Sequence, residues 1–380
     1  MTATKKDPVI VILQLTGAND YLNTIIPYTN GEYYDNRPKV NIPQDTVLPI
    51  DDELAFNPNM APLKKMYDDG NVAIIHGIGF ENSPRSHFRA MDIWHTCEPD
   101  VVGTEGWVAK LVRDLDPMGE NVLKCVNFGQ GLPRALALRG VPITSVSNLE
   151  SYGVMSSVPG MTSEQDRARL LDRFARMYAP AIGTGATMDY LGQTGRDALK
   201  GADILKAAPE QYTSTIEYAD NGIAKYLRDV ARVHTANLGT QIFYTAHGPF
   251  DTHFNQPPMH ARLWTKVSGA ISDFFDDLRE HDAADNLVMM IFTEFGRRVR
   301  DNGTGTDHGA GGGAFIIGDN VKGGMYGTYP SLKPEDLSQG DLEPNYDFRG
   351  FYSSVIDQWL GLDPVPIVGG QFEQVQFVSA

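Results

Sequence analysis

The chain has 380 residues, 42% hydrophobic and 21% charged, enough for one large α/β domain or two ordinary ones. Its formal net charge of -16 excludes sequence-independent binding to nucleic acid, which needs Lys and Arg to neutralise phosphates; Arg85, Arg89, Arg297 and Arg298 remain as candidates for a local basic pocket. The two cysteines, Cys97 and Cys125, form no C-x-x-C pair, which excludes a zinc ribbon or a dithiol redox motif; they read as buried thiols, with a single disulfide as the alternative.

In chain order, Val9 to Leu15 is a continuous apolar run and predicts a buried strand. Met60 to Tyr67 predicts a short amphipathic helix with Pro62 in its first turn. Asn71 to His76 predicts a strand, closed by Gly77 and Gly79. Ser86 to His95 predicts a helix with Phe88, Met91 and Trp94 along one face, and Ser83 or Ser86 as its N-cap. Lys124 to Phe128 and Pro142 to Val146 read as short strands. From Thr162 to Arg232 the pattern is mostly helical, with a strongly amphipathic stretch from Ser163 to Tyr178 and another from Thr213 to Val233. A strand at 241–246, a long helix from Pro258 to His281, and strands at 287–292 and 314–318 follow. A loop-like segment from Gly323 to Tyr346 leads to a closing helix from Asp347 to Leu360. Buried strands alternating with helices predict an α/β fold, a mainly parallel sheet sandwiched by helices. The whole chain, 1–380, is expected to form one such domain; the helical stretch 160–236 is either a cap inserted in it or a set of helices covering the sheet. No run reaches the roughly 18 apolar residues of a membrane span, and no signal-peptide pattern precedes the first strand. As written the chain reads as cytoplasmic, and removal of an export signal would leave the same picture.

Three of these strands deliver metal-binding residue types at their carboxyl ends. The first runs into Gly17, Asn19, Asp20 and Asn23. The strand at 241–246 runs into His247, Asp251, His253 and Gln256. The strand at 287–292 runs into Glu294, Phe295, Arg297 and Arg298, followed by Asp307, His308 and the glycines 311–313. In a parallel sheet those ends share one edge, where open α/β sheets place their ligands. Glu294, Asp307 and His308 have the chemistry of hard-to-borderline metal ligands. Asp251 and His253, at i and i+2 of an extended segment, face one side and can reach one cation. The arginine pair is suited to holding an oxyanion. Taken singly, each cluster is also an ordinary turn composition. Ser86 reads first as a helix N-cap and second as a nucleophile, and a helical neighbour such as His87 points in a different direction from it.

Together these stretches resemble the DUF1501 family of uncharacterised bacterial proteins, related to sulfatases and alkaline phosphatases. The resemblance rests on Gly17-Ala18-Asn19-Asp20-Tyr21-Leu22-Asn23, Arg85-Ser86-His87-Phe88, Asp251-Thr252-His253 with Gln256, Thr293-Glu294-Phe295-Gly296-Arg297, Thr306-Asp307-His308-Gly309, Lys322-Gly323-Gly324 and Asp347-Phe348-Arg349. It implies an alkaline-phosphatase-like fold with two metal ions at the carboxyl edge of the sheet. By motif, Asp20 stands at the early aspartate, Ser86 at the nucleophile, Asp251 and His253 at the middle pair, and His308 at the late histidine. Glu294-Phe295 falls where the wider superfamily has Asp-His. Phe295 binds no metal, so the first metal site is weakened, lost or rebuilt with Asp307, and His247 offers a replacement nitrogen.

The expected function is a metal-dependent hydrolase of phosphate or sulfate esters. Metal ligands are expected among Asp20, Asp251, His253, Glu294, Asp307 and His308, with Ser86, His87 and Arg297 in catalysis. The cofactor is a divalent cation (Zn, Mn, Mg or Ca), and the partner a small anionic ester rather than nucleic acid or membrane. Two alternatives stand beside it: a binding or scaffold protein that keeps the fold without a competent metal pair, favoured by Phe295, and a metal-independent Ser86/His87 hydrolase, disfavoured by the missing Gly-x-Ser-x-Gly elbow.

Overall fold

The computed structural model describes residues 6–150, 185–205 and 212–378, with Tyr152, Arg169, Asp172, Arg173, Arg176 and Ala208 as single positions. The strands are β1 (Val9–Leu15), β2 (Ile25–Ile26), β3 (Leu48–Pro49), β4 (Ala55–Phe56), β5 (Val72–Gly79), β6 (Cys125–Phe128), β7 (Thr144–Val146), β8 (Ile242–His247), β9 (Leu287–Phe292), β10 (Arg297–Asp301), β11 (Thr306–His308), β12 (Gly312–Ile317), β13 (Gly324–Tyr326) and β14 (Tyr346–Asp347). The main sheet runs β13-β5-β12-β9-β1-β8-β6-β7, with β14 also on β5. All its strands are parallel to one another except β12, which pairs antiparallel with both β5 and β9. The α/β expectation with a mainly parallel sheet therefore holds.

β1 shows why both faces are covered. Val9, Val11, Leu13 and Leu15 join one apolar cluster, and Ile10 and Ile12 join the other. This is the period-2 alternation of a strand with a core on each side, and each fully buried Val, Ile or Leu contributes about 1.5–3 kcal/mol. The first face is covered chiefly by the helix Gln256–Glu280, whose Trp264, Val267, Ile271, Phe274 and Leu278 recur every three or four residues. Pro257 and Pro258 are tolerated in its opening turn, where no intrahelical partner is lost. Gly222–Thr235 and Ala61–Asp68 pack beside it. The second face is covered by His87–Thr96, Trp107–Leu115 and Phe348–Gln358.

Several expectations change. The helix expected from Thr213 starts only at Gly222, because Asn221 caps it by accepting from the Ala224 amide at 3.1 Å. The preceding stretch is drawn away by Tyr218, whose hydroxyl donates to Asp277 at 2.6 Å. The amphipathic stretch 163–178 lies outside the described residues apart from the single positions named above; within the expected helical region 160–236 the described helices are Ala186–Leu205 and Gly222–Thr235. A three-stranded sheet, β2-β4-β3, and the hairpin of β10 and β11 had no sequence expectation. Cys97 and Cys125 are both free and buried, which raises both thiols well above their ordinary pKa. Among the described residues no helix is long and apolar enough to cross a membrane.

Three histidines outside the converging cluster are buried, and burial favours their neutral rings. Burial pushes His76, His95 and His260 down to about 4. His95 Nε2 meets Gln14 Oε1 at 2.9 Å, His260 Nε2 meets Asn19 Oδ1 at 3.0 Å, and His76 Nδ1 meets the Tyr21 hydroxyl. The unfolded chain takes up these protons near pH 6.5, and the folded chain does so only near 4. Their contribution is therefore complete above pH 6.5 and is lost as pH falls from there toward 4, by about 1.4 kcal/mol per pH unit for each group. The urea midpoint is expected to drop clearly between pH 7.5 and pH 5; an unchanged midpoint would show that these rings titrate normally.

Candidate metal centre

The carboxyl ends of β1, β5, β8 and β9 lie along one edge of the sheet, and β12, running the other way, begins there. The loops that leave or enter these ends carry the sequence-selected residues. Gly17, just past β1, has φ +100°, and a Cβ on it would lie 2.6 Å from the Asp251 amide nitrogen. Only glycine lets this loop and the Asp251 loop touch. Gly305 plays the same part between the β10–β11 hairpin and the loop after β8: a Cβ there would meet the Thr252 carbonyl oxygen at 2.2 Å.

At this junction three imidazoles and a carboxylate converge. His87 Nε2 lies 2.9 Å from His308 Nε2, and His253 Nε2 also lies 2.9 Å from it. Asp251 Oδ1 is 3.2 Å from His308 Nε2, 3.0 Å from His253 Nε2 and 3.5 Å from His87 Nε2. The far nitrogen of each ring faces an oxygen. His87 Nδ1 meets Glu294 Oε1 at 2.8 Å, His253 Nδ1 meets Asp307 Oδ1 at 2.9 Å, and His308 Nδ1 meets the Arg85 carbonyl at 2.8 Å. Ionised carboxylates and carbonyls only accept, so each Nδ1 is the protonated nitrogen. In each neutral ring the Nε2 lone pair then points inward, toward two other lone pairs and an anionic oxygen. No single proton satisfies all four atoms. The ligand atoms of His87, Asp251 and His308 all lie within 4.8 Å of one another, a set that could hold a cation, with His253 beside it; His rings fixed at Nδ1 by carboxylate or carbonyl acceptors are the usual support of a metal ligand set.

The supports are themselves built in. Glu294, buried at the end of β9, also accepts from the Gly17 amide at 2.9 Å, and its other oxygen accepts from Thr293 Oγ1 at 3.1 Å. Its hydrogen bond, ahead of burial and of the charges of Glu294 and Asp251, raises the His87 pKa on balance. Arg297, fully buried, donates from Nη1 to Asp251 Oδ1 at 2.8 Å, from Nε to Thr306 Oγ1 at 3.3 Å and from Nη2 to the Thr306 carbonyl. Burial pushes the Asp251 carboxyl up, but Arg297, His253 and His87 bring it below the ordinary carboxylate range.

Of the residues expected as ligands, the structure thus brings Asp251, His253 and His308 to the centre. Glu294 and Asp307 stand one step behind, each against the Nδ1 of a histidine. Asp20 is not in the cluster: its Oδ2 accepts from Arg37 Nη1 at 2.6 Å and from Gln256 Nε2, in a fully buried ion pair. Of the residues expected in catalysis, His87 turns inward with the other rings. Arg297 is fully buried and is directed at Asp251 and Thr306 through all three nitrogens. Ser86 sits at the N-terminal end of the helix His87–Thr96 with no side-chain cap bond, exposed, and outside the adjoining cleft. His247 does not supply the nitrogen lost at Phe295; its Nε2 is buried without a partner, and burial lowers its pKa to about 4. His87 instead brings an Nε2 to the cluster. Phe295 is the wall behind it, stacked on the His87 ring at 4.9 Å and tilted on His308 at 5.2 Å, in a small apolar cluster with Ala18 and Ala90.

The sequence signalled neither Arg37, which lies in a plain Asn-Arg-Pro stretch, nor the bracing role of Thr306. Gln256 belonged to a noted motif, but only the structure shows that it joins Asp20 to Thr306.

The family described as "Protein of unknown function (DUF1501)" matches residues 201–364. No curated protein matches the sequence. Among solved structures, a variant of the alkaline phosphatase PafA is 9% identical with a TM-score of 0.48, over 99% of this chain and 100% of that one. The PsFucS1 sulfatase from Pseudoalteromonas sp. is 10% identical with a TM-score of 0.42, over 98% of this chain and 71% of that one. The C-terminal periplasmic domain of EcEptC from Escherichia coli, in complex with Zn, is 10% identical with a TM-score of 0.42, over 98% of this chain and 89% of that one.

Proposed function

We propose that the protein is a metal-dependent hydrolase of phosphate or sulfate esters that holds one divalent cation on His87, His253, His308 and Asp251. The observation that carries this reading is the convergence of three Nε2 lone pairs on Asp251 Oδ1, with every Nδ1 tied to an acceptor. Three imidazoles and one carboxylate suit zinc or a similar borderline metal better than magnesium or calcium, which prefer oxygen. The converging donors make one site: Asp20 stands outside the cluster, paired through Oδ2 with Arg37 while its buried Oδ1 has no partner, and both Glu294 oxygens are engaged. A cation held here supplies Lewis acidity to a bound ester oxygen.

The protein's own groups prepare that place. Glu294, Asp307 and the Arg85 carbonyl keep the protons on Nδ1, so the inner nitrogens stay available. Arg297 keeps Asp251 ionised and fixes its direction. Phe295 closes one side against water. The overall change adds one water across the P–O or S–O bond, giving an alcohol and the inorganic acid. Because Ser86 is exposed and outside the cleft, attack is assigned to water and not to a serine oxygen.

The test is metal analysis of protein purified without chelator, followed by an aryl phosphate and aryl sulfate screen with Zn²⁺ and Mn²⁺ restored separately after stripping. One retained equivalent and metal-restored turnover, still present in Ser86→Ala, are expected. A chain that takes up no cation overturns the reading. A cation retained with no turnover on any ester moves it to the binding-protein alternative.

A further inference from the structure

We propose that the cleft beside this centre receives an aryl or short alkyl group carried on the ester oxygen of a monoanionic substrate, and not a sugar; this rests on the hydrolase reading above. The cleft has a volume of about 680 Å³ and shares His87, Asp251 and Glu294 with the cation-facing cluster. Its other walls include Phe88, Met91, Val102 and Pro249. Phe88 is 92% exposed and Val102 70% exposed, so the fold leaves large apolar side chains uncovered at the mouth of a polar site. Isolated exposed apolar residues need no explanation, but a group lining one cleft that opens on a catalytic centre is what an apolar ligand covers.

The polar groups of the cleft argue against carbohydrate. Arg89 donates to Asp92 at 2.7 Å and to the Pro99 and Val101 carbonyls at 2.6 and 2.9 Å. Arg134 closes on the other oxygen of Asp92, and His95 is bonded to Gln14. Arg89 and His95 are engaged in this way, whereas Arg134, bonded through Nη1 to Asp92 and the Gly103 carbonyl, keeps donors for an anionic oxygen; few groups remain for the several hydroxyls of a sugar, which must be matched when buried. The charge of this wall also selects. Two guanidiniums on one carboxylate leave a single net positive charge on the cleft wall, while Arg297 and a divalent cation balance Asp251, Glu294 and Asp307. One negative charge is complemented and a second is not. A chain of net charge -16 also repels a dianion more than a monoanion.

The experiment measures affinity without turnover, by calorimetry on the cation-loaded protein, using methanesulfonate, hexanesulfonate, benzenesulfonate, phenylphosphonate at pH 8.5 and a sugar sulfonate. Benzenesulfonate and hexanesulfonate are expected to bind at least about tenfold more tightly than methanesulfonate, from the buried apolar area. The Phe88→Ser, Val102→Ser double variant should remove most of that gain and leave the methanesulfonate affinity and metal content as they were. Both positions are exposed, so folding is not at stake. A flat series, or a sugar sulfonate bound most tightly, overturns the apolar assignment. Phenylphosphonate tighter than benzenesulfonate overturns the charge assignment. Either result leaves ester hydrolysis standing, whereas the expected ranking with no hydrolysis refutes the hydrolase reading alone.

Discussion

His308→Ala is expected to abolish cation retention and, with it, hydrolysis. His308 Nε2 is the hub of the cluster, within 2.9 Å of His87 and of His253 and within 3.2 Å of Asp251. Its removal takes one of four donors and the ring against which the other two histidines are set. Loss of a group that only supports a ligand typically costs 10–100-fold in metal affinity, so Asp307→Asn should fall in that range and His308→Ala well beyond it. The cation-free fold should barely register the change, because deleting one of three crowded lone pairs relieves repulsion while leaving a partly exposed position. Metal content after dialysis and the thermal midpoint with and without Zn²⁺ check this together. The wild type should gain a higher midpoint on adding Zn²⁺, and His308→Ala should not. A variant that keeps its metal equivalent and its midpoint gain would refute the assigned ligand set.

The largest stability effect is expected at Arg37. Its Nη1 donates to Asp20 Oδ2 at 2.6 Å and to Asn23 Oδ1 at 2.9 Å. Nε reaches the Val299 carbonyl at 2.9 Å and Nη2 the Arg298 carbonyl at 2.9 Å. Burial pushes the Asp20 carboxyl up, yet the Arg37 charge holds it below the ordinary range. Arg37→Ala leaves a buried carboxylate with no countercharge and two carbonyls with no donor. The expected cost is about 3–5 kcal/mol, read from urea unfolding. Arg37→Met combined with Asp20→Asn should recover much of it, since the uncompensated charge is then gone. Asp20→Asn alone should leave metal content unchanged. Loss of the cation in Asp20→Asn would return Asp20 to the ligand set, and a cost under about 1 kcal/mol at Arg37 would show the pair to be hydrated.

The fold class was legible because β1, β8 and β9 are short runs of branched and aromatic residues buried on both faces, and such runs between amphipathic helices have few other interpretations. The reversed direction of β12 was not legible, because a buried strand reads the same in either sense. At the site, strand ends pointed to the right loops, since topology carries them to one edge whatever their sequence separation. They did not show which oxygens face inward. Glu294 and Asp307 have ligand chemistry but sit against Nδ1 atoms, and Arg297 has oxyanion-binding chemistry but is engaged with Asp251 and Thr306. Such assignments depend on differences of about 3 Å in three dimensions. Phe295 misled for the same reason: counted along the chain it replaces a donor, whereas in space it leaves room for His87, from the start of the helix His87–Thr96, and backs its ring.

The inward-facing atoms come from loops following β5 and β8 and from the hairpin before β12, so in an unfolded chain only Asp251 and His253 are neighbours. A cation that needs all four groups therefore recognises the finished sheet and almost nothing else. By mass action such a ligand favours the folded chain by about 2.7 kcal/mol when its free concentration is a hundred times its dissociation constant. On the proposed ligand set, metal supply is expected to govern the lifetime of the protein itself as well as its activity. Under starvation for the ion, more molecules open, and those that open are the ones proteases remove.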